Sequence, residues 1–515
     1  MSPGMLLRAL TVLWRVGLLR VTPRGLWRAV GAWRRCRASL PFLVEVAAIR
    51  FGNHPALGDD DGSLTYGELR EAYEALARRL VGELGVAPGQ VLAILGENHR
   101  DFLVALLAAA RTGADVLLLN PRSPPLVLQG LLSEQGPDIV LNATSLDLGQ
   151  VAPDTRQLTL PVEPDRAYQA VVLPRLGRAG RLVILTSGST GRARRISRRP
   201  PLASLLPAAV AFLELLPISL HRPTVIAVPL FHGHGLSSLA MALACAAPIQ
   251  LGRRYEIAPL LSRLPAGAQP IVVSVPTLLE RWQATGPGAA PVGAIVTGSA
   301  PLDPRLCQQI LETRGPVLYN LYGSSEAGVV SMASPAMLQA APGTVGRPLP
   351  GNEVRIVGPG GRQAPPGQVG GIQVRGPLVA PVDTGDWFDT GDLGRLDEEQ
   401  RLHVCGRADQ MFVSGGENVY PQRVRECLQD HPAVHEAVIA VVQDPEFGHR
   451  MRAFVVARPG MPLEHDELRE WIRERVERFE VPRSIEILPD LPRNALGKVD
   501  RPALLELPET RSHSA

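Results

Sequence analysis

The sequence predicts an α/β protein in which a large domain with mostly parallel sheets precedes a small α+β domain. Its 515 residues are 45% hydrophobic and 20% charged, which is ordinary globular composition. Short apolar runs alternate with helical segments up to about residue 405, as in parallel sheets covered by helices. The strands of this region are predicted at 91–95, 116–119, 139–141, 182–185, 225–228, 271–275 and 295–297.

The helix at 65–80 carries the clearest local signal, because Thr65 at its start and Glu68 three residues later form a capping box. After residue 350 the pattern becomes rich in strands, at 353–357, 371–375 and 401–404. The small domain is predicted as helix 421–428, strands 437–442 and 452–457, helix 466–478 and strand 484–488. We therefore expect a basic N-terminal segment at 1–40, a large domain at 41–408 and a small domain at 409–515.

The first 40 residues hold eight Arg, three Trp and no acidic residue. Basic amphipathic helices with Trp suit the headgroup region of an anionic bilayer. Packing against the body of the protein is an equally weighted alternative, because amphipathicity alone does not discriminate between them. The expected location is cytoplasmic, with possible membrane association.

Charge and cysteine content exclude several classes of function. The net charge is +3, and eight Arg lie in the first 40 residues, so residues 41–515 carry −5. This charge argues against binding of nucleic acid by the body of the protein. The five Cys are scattered without metal-ligand spacing, which indicates a reducing compartment and no structural zinc. No uninterrupted apolar run reaches the length of a membrane span.

A single Lys, Lys498, stands among 53 basic side chains. Exchange of Lys for Arg is tolerated where only charge matters, but a planar guanidinium cannot replace a compact ammonium at a point-charge site. The retained Lys498 is therefore a candidate catalytic residue, against the alternative that it persisted by chance.

A loop rich in Gly, Ser and Thr follows the strand at 182–185 and spans residues 186–194. Its glycines allow backbone N–H groups to turn toward one point and its hydroxyls add donors, as an anionic phosphate chain requires. The loop lacks the Lys of a Walker motif. Taken alone, such a cluster is more often a plain surface loop.

Two further stretches carry polar side chains suited to a nucleotide. In the first, Tyr322 could stack on a base and Glu326 could hold Mg²⁺. In the second, Asp392 suits a ribose diol and Arg407, fifteen residues later, suits hydroxyls or phosphate. Each residue alone would more often be an ordinary surface group.

The fourth stretch, residues 491–501, contains Lys498. In this order and spacing, the four stretches resemble the adenylate-forming superfamily of acyl-CoA synthetases, peptide-synthetase adenylation domains and luciferases, over residues 45–505. The motif around His232 (residues 229–235) and the Gly-Glu-Asn-Val-Tyr-Pro run ending at Pro421 add to the match. The run is most similar to bacterial fatty acyl-CoA synthetases. The resemblance implies a large adenylation domain of several subdomains and a mobile small domain.

The resemblance also implies a role for each matching residue. ATP would be bound by the phosphate loop, by an adenine wall of Ser299–Pro301 with Tyr322, and by Asp392 and Arg407 at the ribose. Catalysis would use Lys498, Glu326 as the Mg²⁺ ligand, and His232 at the acyl pocket. Asp409 would be the hinge of the small domain. The implied ATP-binding residues are Thr186, Ser187, Gly188, Ser189, Thr190, Gly191, Arg194, Ser299, Ala300, Pro301, Asn320, Tyr322, Gly323, Ser324, Ser325, Asp392 and Arg407, and the CoA channel comprises Ser414, Gly415 and Gly416.

The implied reaction joins a medium- or long-chain fatty acid to CoA through acyl-AMP, with ATP, Mg²⁺ and CoA as cofactors and substrates. Three alternatives stay open: loading of a carrier protein, ligation of an aryl or small acid, and an inactive nucleotide- or lipid-binding relative. Two departures from the family pattern are Arg194, where Lys is usual, and a shortened segment at 378–385.

Overall fold

The computed structural model describes the chain except for residues 1–10, 13–21, 124, 150, 152, 154, 162–165, 188–192, 198–201, 287–290, 325, 380–386, 409–411, 415–416, 420, 445–447, 477–479, 494–498 and 509–515. The contacts divide the chain into two compact units. Unit 1 is Met1–Glu353 with Val374–Phe388, and unit 2 is Val354–Gln373 with Asp389–Ala515. The domain boundary near residue 408 stays a prediction.

Unit 1 contains most of the described helices and both of the mostly parallel sheets. Its helices are α1 (Pro23–Cys36), α2 (Leu40–Phe51), α3 (Tyr66–Gly82), α4 (Arg100–Thr112), α5 (Pro125–Gln135), α6 (Leu202–Leu215), α7 (Gly233–Ala244), α8 (Ile257–Ser262), α9 (Pro276–Ala284), α10 (Pro304–Arg314) and α11 (Pro335–Ala340).

The strands of unit 1 form two sheets. They are β1 (Pro55–Asp59), β2 (Gly62–Thr65), β3 (Val91–Gly96), β4 (Asp115–Leu119), β5 (Ile139–Ala143), β6 (Arg156–Thr159), β7 (Leu182–Ser187), β8 (Ala193–Ser197), β9 (Thr224–Ile226), β10 (Ile249–Gln250), β11 (Ile271–Ser274), β12 (Ala294–Thr297), β13 (Leu318–Ser324), β14 (Gly328–Ala333) and β15 (Arg347–Pro348).

The larger sheet has the order β15-β14-β13-β12-β11-β9-β10-β1-β2 and the smaller has the order β6-β5-β3-β4-β7-β8. Both are parallel except at their edges, where β14, β15, β2 and β8 pair antiparallel. The predicted α/β class with mostly parallel sheets is confirmed. The antiparallel edge strands were not predicted, because Gly and polar residues interrupt their apolar pattern.

Helix α3 begins as the sequence predicts. The Thr65 side chain accepts a hydrogen bond from the Glu68 backbone N–H, and the Glu68 carboxylate accepts one from the Thr65 backbone N–H. The buried face of α3 includes Tyr66, whose hydroxyl donates to the Ala247 carbonyl at 2.9 Å. A local sequence signal thus fixes a helix whose packing depends on a contact 181 residues away.

Helix α1, within the basic N-terminal segment, packs against the rest of unit 1. Ala32 and Cys36 are fully buried, and Trp33 makes an edge-on contact with Phe42 of α2, with ring centroids 5.3 Å apart. Packing on the body, one of the two alternatives, is therefore observed for this helix. No helix within the described part of the chain is both long and apolar enough to cross a membrane.

Unit 2 contains two further sheets. One has the order β16-β17-β18-β19 and the other joins β21-β20-β23-β22, with β24 parallel to β23. The elements are β16 (Glu353–Val357), β17 (Gly370–Arg375), β18 (Phe388–Leu396), β19 (Leu402–Arg407), β20 (Phe412–Ser414), β21 (Glu417–Val419), α12 (Pro421–Gln429), β22 (Val434–Asp444), β23 (Gly448–Ala457), α13 (His465–Arg473), β24 (Ser484–Leu488) and α14 (Arg501–Glu506).

Candidate functional site

The predicted adenine-wall residues follow the carboxyl ends of two neighbouring parallel strands. Strands β12 and β13 pair with Thr297 opposite Asn320, so the residues after both strands emerge at the same edge of the larger sheet. Ligands of open α/β sheets bind at this edge. Ser299 follows β12 and Tyr322 lies near the end of β13, so the structure places these two predicted residues on adjacent chain segments.

A close backbone contact shapes the turn after β12. A Cβ on Gly298 would lie 2.9 Å from the Leu321 carbonyl oxygen, so only glycine fits there without a shift. The next residue, Ser299, has a φ of 65°, a left-handed conformation that is uncommon for a serine. Ala300 and Pro301 are exposed beyond it. The turn therefore presents a strained, solvent-facing segment at the sheet edge.

The end of β13 is shaped by a second close contact. A Cβ on Gly323 would lie 2.0 Å from the Gly328 carbonyl oxygen on β14, which explains the glycine at this predicted position. Ser324 accepts a hydrogen bond from the Ala327 N–H at 3.0 Å, and Glu326 lies partly buried in the same turn. The sequence motif is thus the tip of a β-hairpin rather than an isolated loop.

Asn320 is buried and its side-chain amide donates to the Thr344 carbonyl at 3.2 Å. Thr344 in turn accepts from the Gly346 N–H at 3.0 Å. These contacts tie β13 to the segment before β15. Asn320 therefore has a structural role in holding β13 to this segment.

The start of α7 carries His232 and depends on a third glycine. His232 is exposed at the N-cap position, and its ring lies 4.6 Å from that of Phe231. A Cβ on Gly235 would lie 2.3 Å from the Pro229 carbonyl oxygen. The helix can follow the preceding turn this closely only because residue 235 has no side chain.

Asn98, which the sequence did not indicate, anchors this turn to the smaller sheet. Its amide donates to the Val228 carbonyl at 2.7 Å and its side-chain oxygen accepts from the Leu230 N–H at 2.8 Å. Asn98 is 1% exposed, so both bonds are shielded from water. The contact spans more than 130 residues, and no local signal could have revealed it.

His234, two residues after His232, is the site residue that sequence reasoning passed over. Its Nδ1 lies 3.4 Å from the Ser299 hydroxyl oxygen, while its buried Nε2 has no hydrogen-bond partner within the described residues. Burial lowers the pKa of His234 to about 4, so the imidazole is neutral at pH 7. The motif contained two histidines, but only the structure distinguishes the buried one.

Strands β7 and β8 frame the predicted phosphate loop. They pair antiparallel, with Thr186 opposite Arg194 and Ser187 opposite Ala193. The two backbones therefore stand side by side at the base of the loop. The loop follows the carboxyl end of β7, the position at which phosphate-binding loops occur in parallel sheets.

In unit 2, the structure brings Asp392 and Arg407 together. They are opposite each other in the antiparallel pairing of β18 and β19, and the Arg407 guanidinium donates to the Asp392 carboxylate at 3.3 Å and to the Thr390 carbonyl at 3.1 Å. Gly391 has a φ of 70°, and a Cβ there would lie 2.9 Å from the Arg407 Nη2. The hairpin register explains the fifteen-residue spacing.

The described residues on either side of 494–498, the segment that contains Lys498, pair with each other. Arg493 and Val499 form an antiparallel bridge, and the Asp500 N–H donates to the Pro492 carbonyl at 2.8 Å. Arg493 also pairs with Glu436 of β22 at 2.6 Å. In β20 of the same sheet, Ser414 pairs with Glu417 of β21.

Nine predicted site residues lie outside the described part of the chain. They are Gly188, Ser189, Thr190, Gly191, Ser325, Asp409, Gly415, Gly416 and Lys498.

Comparison with known proteins shows the same organisation along the chain. The sequence model described as AMP-binding enzyme matches residues 44–382, and that of the AMP-binding enzyme C-terminal domain matches residues 424–498. The indoleacetate–CoA ligase of Aromatoleum aromaticum is 30% identical over 485 residues, covering 86% of this chain and 93% of the relative. The feruloyl-CoA synthase of an Amycolatopsis species is 29% identical, covering 92% and 97%.

Among solved structures, the chain is similar to the o-succinylbenzoate CoA synthetase of Bacillus subtilis in complex with its acyl-adenylate intermediate. The TM-score is 0.78 at 26% identity, covering 91% of this chain and 98% of the other.

Proposed function

The chain belongs to the AMP-binding enzyme family, and on this premise we propose which acid it activates and how its residues act. It is an acid–thiol ligase that uses ATP, Mg²⁺ and CoA and proceeds through an acyl-adenylate. The preferred acid and the role of each residue are the parts that we propose.

We propose that the sheet edge formed by the turns after β12 and β13 receives the adenosine end of ATP. Ser299, Ala300 and Pro301 would form one wall and Tyr322 the other. The two glycine-dependent turns support this assignment, because they hold these residues beside the carboxyl ends of parallel strands.

Glu326 has the chemistry to hold Mg²⁺. Mg²⁺ is commonly bound by one or two carboxylates together with substrate phosphates, so a single partly buried carboxylate beside the phosphate-binding residues fits it. The ion would neutralise charge on the phosphates during displacement. Ser324, Ser325 and residues 186–194 would donate hydrogen bonds to the same phosphates.

We assign the ribose to the pair Asp392 and Arg407, on the motif match and on their contact across the hairpin. Lys498 would lie between the acid carboxylate and the α-phosphate, two anions that otherwise repel each other. Asp409 would be the hinge about which the small domain rotates between the two half-reactions. Ser414, Gly415 and Gly416 would line the channel for CoA.

As substrate we favour an aryl or other compact acid over a fatty acid. The relatives described above are named for indoleacetate, ferulate and succinylbenzoate. Two apolar segments, 236–247 and 273–279, have the composition to wall an aliphatic pocket. They instead contribute Leu239, Leu243, Val273 and Leu279 to hydrophobic core clusters. His234 adds a polar group beside Ser299, since the Nε2 of its neutral imidazole has no hydrogen-bond partner within the described residues.

A medium- or long-chain fatty acid is the competing substrate, and a carrier protein is the competing acceptor. The experiment is ATP–pyrophosphate exchange with an arylacetate, a hydroxycinnamate, octanoate and palmitate, followed by product analysis with CoA or with an acyl carrier protein. Faster exchange with an aromatic acid and a CoA thioester product are expected. Preference for palmitate would contradict the aryl assignment, and absence of exchange with every acid would indicate an inactive relative.

We further propose that the N-terminal segment makes a peripheral contact with a membrane. The support is its composition of eight Arg without an acidic residue in residues 1–40. This contact is separate from the chemistry of the ligase.

A further inference from the structure

Helix α1 presents three large apolar side chains to solvent. Leu26 is 60% exposed, Trp27 79% and Val30 42%. Leu26 and Val30 are four residues apart and therefore share a helix side, with Trp27 adjacent to Leu26. We call these three side chains the α1 apolar face.

The opposite side of the same helix is fixed to the body of unit 1. Cys36 is fully buried, and the Arg35 guanidinium forms an ion pair with the buried carboxylate of Glu45 at 2.8 Å. Tyr73 donates a further hydrogen bond to the same carboxylate at 2.8 Å. Rotation of α1 to bury its apolar face would break these contacts and leave a buried carboxylate without its cation, so the face is a stable surface.

The charged side chains of α1 itself are all positive. Arg24, Arg28 and Arg34 are exposed, and Arg34 lies seven residues after Trp27 on the same helix side. The first 40 residues contain no Asp or Glu. The complementary partner therefore offers an apolar layer bordered by anions.

We propose that the α1 apolar face docks on the surface of a bilayer that contains anionic lipids. Trp27, Leu26 and Val30 enter the boundary between headgroups and acyl chains, while Arg24, Arg28 and Arg34 contact the lipid phosphates. Interfacial helices likewise combine Trp and Leu, which enter this boundary, with Arg that attracts anionic lipids. This inference rests on the membrane contact proposed above for residues 1–40 and names the surface that makes it; it is independent of the proposed acid specificity.

The experiment is co-sedimentation of the full chain with vesicles of phosphatidylcholine, with and without phosphatidylglycerol. The parent protein is expected to bind only the anionic vesicles, and less at high salt. Joint replacement Leu26→Ser, Trp27→Ser and Val30→Ser should lower partitioning by about tenfold or more, since the apolar contact is lost. Each single replacement by Gln, at Arg24, Arg28 or Arg34, should lower partitioning by about fivefold.

The matched control is Val172→Ser, which removes an 87% exposed valine elsewhere in unit 1 and should leave binding unchanged. Adenylation of a soluble acid should proceed at the parent rate in every variant, which shows that each one folds. Equal sedimentation of the triple variant and the parent would overturn the proposal. So would loss of a self-associated species in the triple variant by analytical ultracentrifugation, since the face would then join two copies of the chain.

Discussion

The edge of the larger sheet and the β18–β19 hairpin position predicted nucleotide-binding residues by different means. At the sheet edge, Gly298, Gly323 and Gly235 let backbones approach so closely that a side chain would collide with a carbonyl group. In the hairpin, strand register places Asp392 opposite Arg407, and an ion pair joins them. The first arrangement depends on close backbone packing and the second on charge, so substitutions in the two regions should have different effects.

The largest effect is expected for Lys498→Ala, which removes the charge of the only Lys in the sequence. If the ammonium stabilises the approach of the acid to the α-phosphate, its loss should raise the adenylation barrier by about 3–4 kcal/mol. ATP–pyrophosphate exchange measures this step. Lys498→Arg should also fail, because the planar guanidinium is larger than a point charge.

CoA consumption from supplied acyl-adenylate is the control for this prediction, and it should be largely spared in Lys498→Ala. Exchange at the parent rate would refute the assignment of Lys498 to adenylation.

The shape-dependent region is tested by Gly235→Ala, with Gly233→Ala as the matched control on the same helix. The new Cβ at residue 235 would meet the Pro229 carbonyl oxygen at 2.3 Å, whereas residue 233 faces open space. Gly235→Ala should lower the free energy of unfolding by about 3 kcal/mol through backbone displacement. Gly233→Ala should be neutral or stabilising because alanine favours a helix.

Urea unfolding of both variants checks this prediction. Equal stability of the two would mean that the turn before α7 accommodates a side chain and does not depend on close approach.

The buried histidine beside Ser299 predicts a dependence of stability on pH. Its pKa is about 4 in the fold against 6.5 when exposed, so the unfolded chain binds more protons between these values. The free energy of unfolding should therefore fall as pH drops from 6.5 to 4, by up to about 3 kcal/mol from this group. Urea midpoints across that range measure the effect.

His234→Gln should remove this part of the pH slope, while His232→Gln, at the exposed N-cap, should keep it. Identical slopes in the two variants would show that His234 is not the titrating group.

The charge-dependent hairpin should show the smallest effect. Asp392→Asn keeps the shape of the side chain but removes the anion beside Arg407, an interaction that is partly exposed. We expect a several-fold rise in the KM for ATP, about 1 kcal/mol, with little change in stability. Glu399→Gln, which weakens an exposed ion pair with Arg401 in the same hairpin, is the control.

An unchanged KM in Asp392→Asn would argue against a ribose contact. A large loss of stability would instead assign the ion pair a structural role.

Local signals in the sequence predicted a large part of this fold. The capping box of Thr65 and Glu68 is present as predicted, and each predicted strand of unit 1 is observed within a few residues. These succeeded because their determinants lie within a few positions of one another. The hairpin of β13 and β14 was missed because Asn320 and Gly323 break its apolar alternation.

The candidate site was less accessible to prediction than the fold. The motifs led to Ser299 and Asp392, whose surroundings the structure describes, but they did not distinguish His234 from His232. The two histidines differ in exposure, since His232 is exposed whereas His234 is partly buried with its Nε2 shielded, and this difference depends on packing across the sheet. Asn98 was missed for the same reason, since its partners come from another sheet.

The bridge between Arg493 and Val499 has a consequence for the conformational entropy of catalysis. Val499, which immediately follows Lys498 in the sequence, is held by this bridge before any ligand binds. Fixing the backbone of one residue costs about 1–2 kcal/mol in entropy. For Val499 that cost is met when unit 2 folds, rather than when ATP and the acid bind. With Lys498 in its proposed role, more of the binding interaction is then left to favour the transition state.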